Sequence, residues 1–395
     1  MNQNLNQLQP YPFEKLNKLK NIAQTTDKNP INLALGEPQH AIPSLLKQAI
    51  QQVSIDGFSK YPATKGGEII RRNIGNWLIK RFKLPTINPN EHILTVNGTR
   101  EALFSFAQCI VDNTVSQPLV LIPNPFYQIY EGATLLAGAE PWFINCLEEN
   151  SWLPDFASIP TEVWENCQLL YICSPNNPTG MVLDRNILQD LIKKADKYNF
   201  IIAADECYSE IYADEQPVGL LQVCAELGRS DFKRCMVFHS LSKRSNVPGL
   251  RSGFVAGDAD LIKKFWLYRT YHGCAMSPVV QEISAIAWED EENVQVNRDL
   301  YRQKYTAVLE ILSPVIEISY PPASFYLWLK TPIDDVEFTQ KLFIHQNITV
   351  LPGSFLSRTA HGINPGKNRV RIALVAPIKE CIEAANRLRV FIENL

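Results

Sequence analysis

The chain has 395 residues, 46% of them hydrophobic and 20% charged, with a formal net charge of −3. That length and apolar fraction suit two domains, or one large α/β domain with an appendage, and the near balance of charge leaves no footprint for nucleic acid or a membrane surface. No apolar run approaches the ~20 residues that span a bilayer. The N-terminal MNQNLNQLQPYPFEKL lacks the basic and apolar regions of a secretory signal, so the expected location is the cytoplasm. Nine cysteines without a CxxC pair, several in apolar runs such as LLYIC, read as reduced core thiols rather than disulfides or a zinc site.

In chain order, residues 1–30 are rich in Asn and Gln and read as an arm packed on something else. ILTV (93–96), LVLI (119–122), LLYIC (169–173), FIIAA (200–204) and CMVFH (235–239) are buried-strand candidates. Helix-like stretches separate several of them, for example NILQDLIKKADKY (186–198), and the alternation predicts a mostly parallel sheet covered by helices. From Trp288 to Leu312 the pattern predicts one long helix, apolar at Leu300, Lys304/Tyr305, Val308 and Ile311/Leu312 and stopped by Pro314. FYLWL (325–329), a further helix, ITVLP (348–352), RVRIAL (369–374) and a final helix follow. The expected organisation is an arm (1–30), a large α/β unit (31–290) and a smaller α+β unit (291–395).

Ligands of open α/β sheets sit beyond the carboxyl ends of the strands. Three chemically distinct groups fall there. FIIAA runs into Asp205, Glu206, Cys207 and Tyr208; LLYIC runs into SPNNPTG (174–180) with Asn177; CMVFH runs into Ser240, Ser242 and Lys243. Taken singly, Asp205 reads equally as a helix cap, NNPTG as a turn and Lys243 as a surface lysine. Together they are the set that pyridoxal phosphate needs. Lys243 can hold the aldehyde covalently, and Asp205 can keep the pyridine nitrogen protonated. Asn177 and Tyr208 can donate to the ring oxygen. Ser240, Ser242, Arg251 and the NGTRE segment (97–101) can bind the phosphate.

With these residues assembled, the chain resembles the fold type I, class I/II aminotransferases. LGEP (35–38), YPATKGG (61–67), NGTRE, PNPFYQIY (123–130), SPNNPTG, DECY (205–208), SLSKRSNVPGLRSG (240–253) and RVRIAL occur in that family's order over essentially the whole chain. The resemblance implies an aspartate aminotransferase-like α/β fold with a mostly parallel mixed sheet. It also implies a homodimer with shared active sites, small-molecule amino and keto acid substrates, and no nucleic-acid or membrane partner. By position, Lys243 is the cofactor-linked lysine and proton shuttle, with Asp205 and Tyr208 beside it in catalysis. Asn177 and Tyr208 contact the ring oxygen, and Tyr127 stacks on the ring. Gly98, Thr99, Arg100, Ser240, Ser242 and Arg251 surround the phosphate. Tyr61 reaches the phosphate of the neighbouring subunit. Arg371, with Gly36 and Asn177 near it, grips the substrate α-carboxylate; read without the family, Arg369 and Arg371 could both face solvent from one strand face.

Within the family, LQPYPFEKL, SLSKRSNVPGLRSGFVAGD and RTYHGCAM resemble the succinyldiaminopimelate aminotransferases of bacterial lysine biosynthesis. Such a substrate carries several carboxylates, which makes Arg100, Arg269, His272 and Arg358 candidate cations at the pocket mouth. An aspartate, alanine or kynurenine-type aminotransferase, a carbon–sulfur lyase, and a non-enzymatic regulator with an aminotransferase-like domain remain open, since the first two would keep the same cofactor residues. The six histidines show no metal-ligand spacing, and His239 reads as a satisfied strand-end residue.

Overall fold

The computed structural model describes residues 1–21 and 25–395; residues 22–24 of the expected arm lie outside the described residues. Its centre is a seven-stranded sheet, ordered Ile93–Val96, Gly253–Gly257, Cys235–Ser240, Ile201–Asp205, Cys167–Cys173, Leu119–Asn124, Glu140–Asn145. Gly253–Gly257 runs antiparallel to both its neighbours, and the other pairings are parallel. All five strand runs expected from the sequence lie in this sheet. Their unbroken apolar character follows from burial on both faces. One face packs residues such as Leu170, Ile172, Ile202 and Val237 against Trp77, Leu188 and Trp288; the other packs Tyr171, Ala203, Met236 and Phe238 against Phe106 and Phe265. This is the α/β, aspartate aminotransferase-like architecture implied by the motifs.

A second layer carries a three-stranded antiparallel sheet in the order Leu351–Pro352, Arg369–Ala373, Tyr326–Lys330. The helices Glu292–Leu312, Asp335–Gln346 and Ile378–Glu393 cover it, contributing Tyr305, Val308, Phe338, Leu342, Leu388 and Phe391 to its core.

Three sequence expectations need correction. The long helix starts at Glu292, and Trp288 ends a separate helix, Pro278–Glu289. The break is at Asp290, whose carboxylate accepts from the Asn293 N–H at 3.0 Å and so caps the second helix instead of continuing the first. Within Glu292–Leu312 the buried stripe runs through Val294, Tyr301, Tyr305, Val308 and Leu312, while Leu300 faces outward. ITVLP is not one strand. Ile348–Thr349 pairs in parallel with Ile31–Asn32, and Leu351–Pro352 turns into the three-stranded sheet.

The N-terminal segment folds back over its own chain. A short 3-10 helix at Gln3–Gln7 lies against Ile129–Ala137, and the helix Pro12–Asn21 lies against Leu351–Pro352 and Asp335–Gln346. Leu16 seals it by packing with Ala34, Leu351 and Leu356. No described helix is long and apolar enough to cross a membrane. All nine cysteines are free.

Candidate active site

A cavity of about 610 Å³ opens between the two layers at the carboxyl ends of the parallel strands. Asp205, Asn177, Ser240, Ser242 and Lys243 all line it, as do Thr99, Tyr127, Tyr208, Arg251, Gly36 and Arg371. The register explains the convergence: Asp205 lies opposite Cys173 on one side and Phe238 on the other, so the segments that follow all three strands leave the sheet at one level.

Asp205 is buried at the end of its strand. Its Oδ2 accepts from the Tyr130 hydroxyl at 2.8 Å and its Oδ1 from the Cys207 N–H at 3.2 Å. Burial pushes its carboxyl above the usual range, against the pull of those hydrogen bonds. A cation placed beside it in the cavity would restore the charged form. Lys243 faces the same space from the short helix Leu241–Arg244. Its Nζ donates to the Gly36 carbonyl and lies 5.3 Å from the centre of the Phe325 ring. Burial lowers its pKa to about 8, with the Arg371 charge acting in the same direction. A lysine held this way is a usable nucleophile near neutral pH.

One end of the cavity is built for an anion. Ser240 Oγ donates to Ser242 Oγ at 2.9 Å, and Thr99 opens the helix Thr99–Ile110. Arg251 lies directly against Gly98, where a Cβ would come within 2.3 Å of Arg251 Nη2 and displace the guanidinium; Gly98 also has φ +89°, which favours glycine. At the other end, Arg371 donates through Nη1 to Asn177 Oδ1 at 2.9 Å and through Nη2 to the Ala34 carbonyl at 2.8 Å. Its plane covers the Tyr326 ring at 4.4 Å, and its Nε is buried without a partner among the described residues. Arg371 is thus aimed inward. Arg369, two residues earlier, instead pairs with Glu148 at 2.8 Å and lies 4.5 Å from the Trp152 ring.

The comparisons agree with this geometry. The family model for aminotransferase class I and II matches residues 28–388. The chain belongs to that family. The LL-diaminopimelate aminotransferase of Aquifex aeolicus is 31% identical over 97% of this chain and 96% of that protein. Among solved structures, an aminotransferase from Neisseria meningitidis is 48% identical with a TM-score of 0.95, covering 99% of this chain and 100% of that one. The aminotransferase AspB of Helicobacter pylori is 33% identical with a TM-score of 0.91, covering 98% and 100%.

Aminotransferases of this family use pyridoxal phosphate, and the donor set fits it. A buried carboxylate, an amine of lowered pKa and a serine–arginine cradle beside a helix start lie in one cavity.

Some expected residues lie elsewhere. Tyr61 is fully exposed and does not line this chain's cavity. Arg269 is wholly buried and paired with Glu101, and Arg358 is forked onto Glu131 at 2.8 and 2.6 Å, so neither is a free cation at the mouth. His272 is stacked on Tyr268 outside the cavity. It lies near Cys274 and Glu101 in a trio of possible metal ligands, but the Glu101 carboxylate is engaged by Arg269. His239 is buried, with Nε2 3.1 Å from Glu206 Oε2, and it belongs to the aromatic core rather than the site.

The sequence reading missed Tyr326, Tyr11, Phe13, Glu37 and Cys207, all of which line the cavity. Tyr326 was legible only as one position of an alternating strand. Tyr11 and Phe13 arrive through the fold-back of the N-terminal segment.

Proposed function

We propose that this aminotransferase moves an amino group between glutamate and a long acyclic keto acid, N-succinyl-2-amino-6-ketopimelate, giving N-succinyl-LL-2,6-diaminopimelate. The observation that carries this reading is the extent of the cavity. Beyond Lys243, Asp205 and Arg371 it runs on to a mouth lined by Tyr11, Phe13, Leu35, Gln128 and Leu356. A long chain with an amide and further carboxylates suits that mixture of apolar and polar groups better than a short substrate does.

When bound, pyridoxal phosphate supplies the electron sink for the charge that develops at the substrate α-carbon. Lys243 holds its aldehyde, and Asp205 keeps the pyridine nitrogen protonated. Tyr208 and Asn177 face the ring oxygen, and Tyr127 covers the ring. Ser240, Ser242, Arg251 and the backbone at Gly98, Thr99 and Arg100 hold the phosphate. Arg371, held by Asn177 and the Ala34 carbonyl, would grip the substrate α-carboxylate and so orient the α-carbon. The amine of Lys243, facing the cavity with a lowered pKa, would be the group that moves the α-carbon proton. In this reading Tyr61 reaches the phosphate in the partner subunit of a homodimer with shared sites, and its full exposure in the single chain supports that role. Residues 31–290 act as the large domain and residues 291–395 as the small one, with residues 1–30 as an arm. The Ile31–Asn32 strand belongs with the small one because it pairs with Ile348–Thr349.

A second reading takes the unsuccinylated backbone as substrate, and the curated relatives named LL-diaminopimelate aminotransferase favour it. A half-reaction panel separates the two. The pyridoxal form is converted to the pyridoxamine form with glutamate, and single keto acids are then scored by how fast they restore the pyridoxal absorbance. Fastest recovery with the succinylated keto acid supports the first reading, and fastest recovery with the unsuccinylated 2-amino-6-ketopimelate supports the second. A small or aromatic keto acid in first place defeats both.

A further inference from the structure

We infer that Asn297 and His40 are positioning residues for Lys243: they hold the backbone of the lysine turn, while Gly36, in the same segment as His40, receives its amine. Neither is among the residues that line the cavity. The inference rests on the assignment of Lys243 as the cofactor lysine and is independent of which keto acid the enzyme takes.

Lys243 and Arg244 close the one-turn helix Leu241–Arg244, so their carbonyls have no partner within it. Asn297, buried on the helix Glu292–Leu312, supplies one. Its Nδ2 donates to the Lys243 carbonyl at 3.1 Å and to the Arg244 carbonyl at 3.4 Å. Carbonyls only accept, so the nitrogen end of this amide must face them, and Oδ1 must face the other way. There it meets His40 Nδ1 at 2.7 Å. Two acceptors cannot share that contact, so His40 carries its proton on Nδ1. Burial and the nearby Lys304 charge lower the His40 pKa to about 4, which leaves a neutral ring with a single N–H. That N–H is committed to Asn297. The other nitrogen, Nε2, is buried without a partner among the described residues, and the ring packs 4.5 Å from that of Tyr301.

The tie runs in both directions. Arg244 reaches from the lysine turn to the end of the helix Pro278–Glu289 and the start of the next. Its Nη1 donates to the Ala287 carbonyl at 2.6 Å and its Nη2 to Glu291 Oε1 at 2.7 Å, with the guanidinium 5.5 Å from the Trp77 ring and 5.1 Å from the Trp288 ring. Asn297 reaches back from the far side of the same junction. Asn246, just after the turn, donates to the His40 carbonyl and to the Ala41 carbonyl at 3.3 Å. Lys243 is therefore held at both ends by residues 36–41: its amine by the Gly36 carbonyl, its backbone through Asn297 and His40. A lysine has a flexible stem, so an amine is placed reproducibly only when the backbone beneath it is also fixed.

The test compares His40→Asn, His40→Phe, Asn297→Leu and the double variant His40→Phe/Asn297→Leu with the wild type. The first readout is capture of pyridoxal phosphate by the apo protein, timed by stopped-flow absorbance and assigned to Lys243 by borohydride reduction and peptide mapping. Capture needs no amino donor, so it stands apart from the substrate reading. The second is the single-turnover reaction with glutamate, which separates the limiting rate from the half-saturating concentration. Asn297→Leu should slow capture and the limiting rate by about tenfold or more, with the half-saturating concentration changed by less than about twofold. His40→Phe keeps a ring beside Tyr301 but loses the donor, and should slow both rates by roughly fivefold. His40→Asn places an amide N–H close to where the Nδ1 proton stands, and should recover most of that loss. The double variant should be no slower than Asn297→Leu, because His40 acts through Asn297. Equal rates in His40→Asn and His40→Phe, or multiplicative losses in the double variant, overturn the inference. So does wild-type capture in an Asn297→Leu protein that has merely lost stability in urea. If Asn297→Leu does not fold, the two His40 variants decide alone. Label on another lysine overturns the Lys243 assignment and the inference with it, whereas label on Lys243 at unchanged rates overturns the inference alone.

Discussion

Gly36 is pressed against Tyr326: a Cβ on Gly36 would lie 1.9 Å from the Tyr326 hydroxyl oxygen and 2.8 Å from the ring carbon that bears it. The same glycine offers its carbonyl to Lys243, and the same tyrosine supports Arg371 and meets the Tyr208 hydroxyl at 3.0 Å. One backbone position therefore sets the spacing between the cofactor lysine and the carboxylate clamp.

Gly36→Ala should push these groups apart and lower kcat/KM for glutamate by roughly a hundredfold. Adding Tyr326→Phe removes the closest contact, so the double variant should lose less than the product of the two single losses. Strict multiplicativity in steady-state kinetics would count against this coupling.

The lowered pKa of Lys243 has a direct kinetic consequence. The neutral amine is the form that captures an aldehyde, so capture of pyridoxal phosphate by the apo protein should accelerate as pH rises through about 8 and level off above it. Burial is the main cause, and the Arg371 charge contributes. Arg371→Leu should therefore move the midpoint upward. A stopped-flow profile still rising toward the ordinary lysine value of 10.5 in the wild type would contradict the assignment.

Much of this site is visible in the sequence because its groups are carried by local patterns. Asp205, Asn177, Ser240 and Lys243 each follow a short apolar run, and a parallel sheet places the ends of such runs side by side. Tyr326 and Tyr11 are not visible in that way, because their approach depends on how the second layer and the N-terminal segment fold back. Charge type was a poor guide at the mouth for the same reason. Arg269 and Arg358 have the same chemistry as Arg100, but Glu101 and Glu131 wait for them in three dimensions. In the fold, Asp290 cut the expected long helix because its side chain offers the backbone another partner. ITVLP was split because its two ends pair with different sheets.

Tyr130 is a supporting residue with a measurable role. Tyr130→Phe removes the 2.8 Å hydrogen bond to Asp205 while keeping the ring stacked on Tyr171. A hydrogen bond to a charged group is worth about 1.5–3 kcal/mol, so cofactor affinity in a fluorescence titration should weaken by about tenfold or more. An affinity equal to the wild type would show that Tyr130 only fills space.

Stability should depend strongly on Glu210. It is buried between Arg81, at 2.5 Å, and Arg298, at 3.3 Å, and so ties the segment after Asp205 to the helices Glu68–Phe82 and Glu292–Leu312. Glu210→Ala leaves two buried guanidinium groups without their shared partner and should cost about 3–5 kcal/mol in urea unfolding of the holoenzyme. A loss below about 1 kcal/mol would mean that water or the backbone carbonyls satisfy both arginines unaided.

The most direct test of the account is to load the protein with pyridoxal phosphate, reduce it with borohydride and map the labelled peptide. One stable label is expected, on Lys243 and absent from Lys243→Ala. Label on another lysine would contradict the site, most tellingly on Lys304, which is also buried and also has its pKa lowered to about 8.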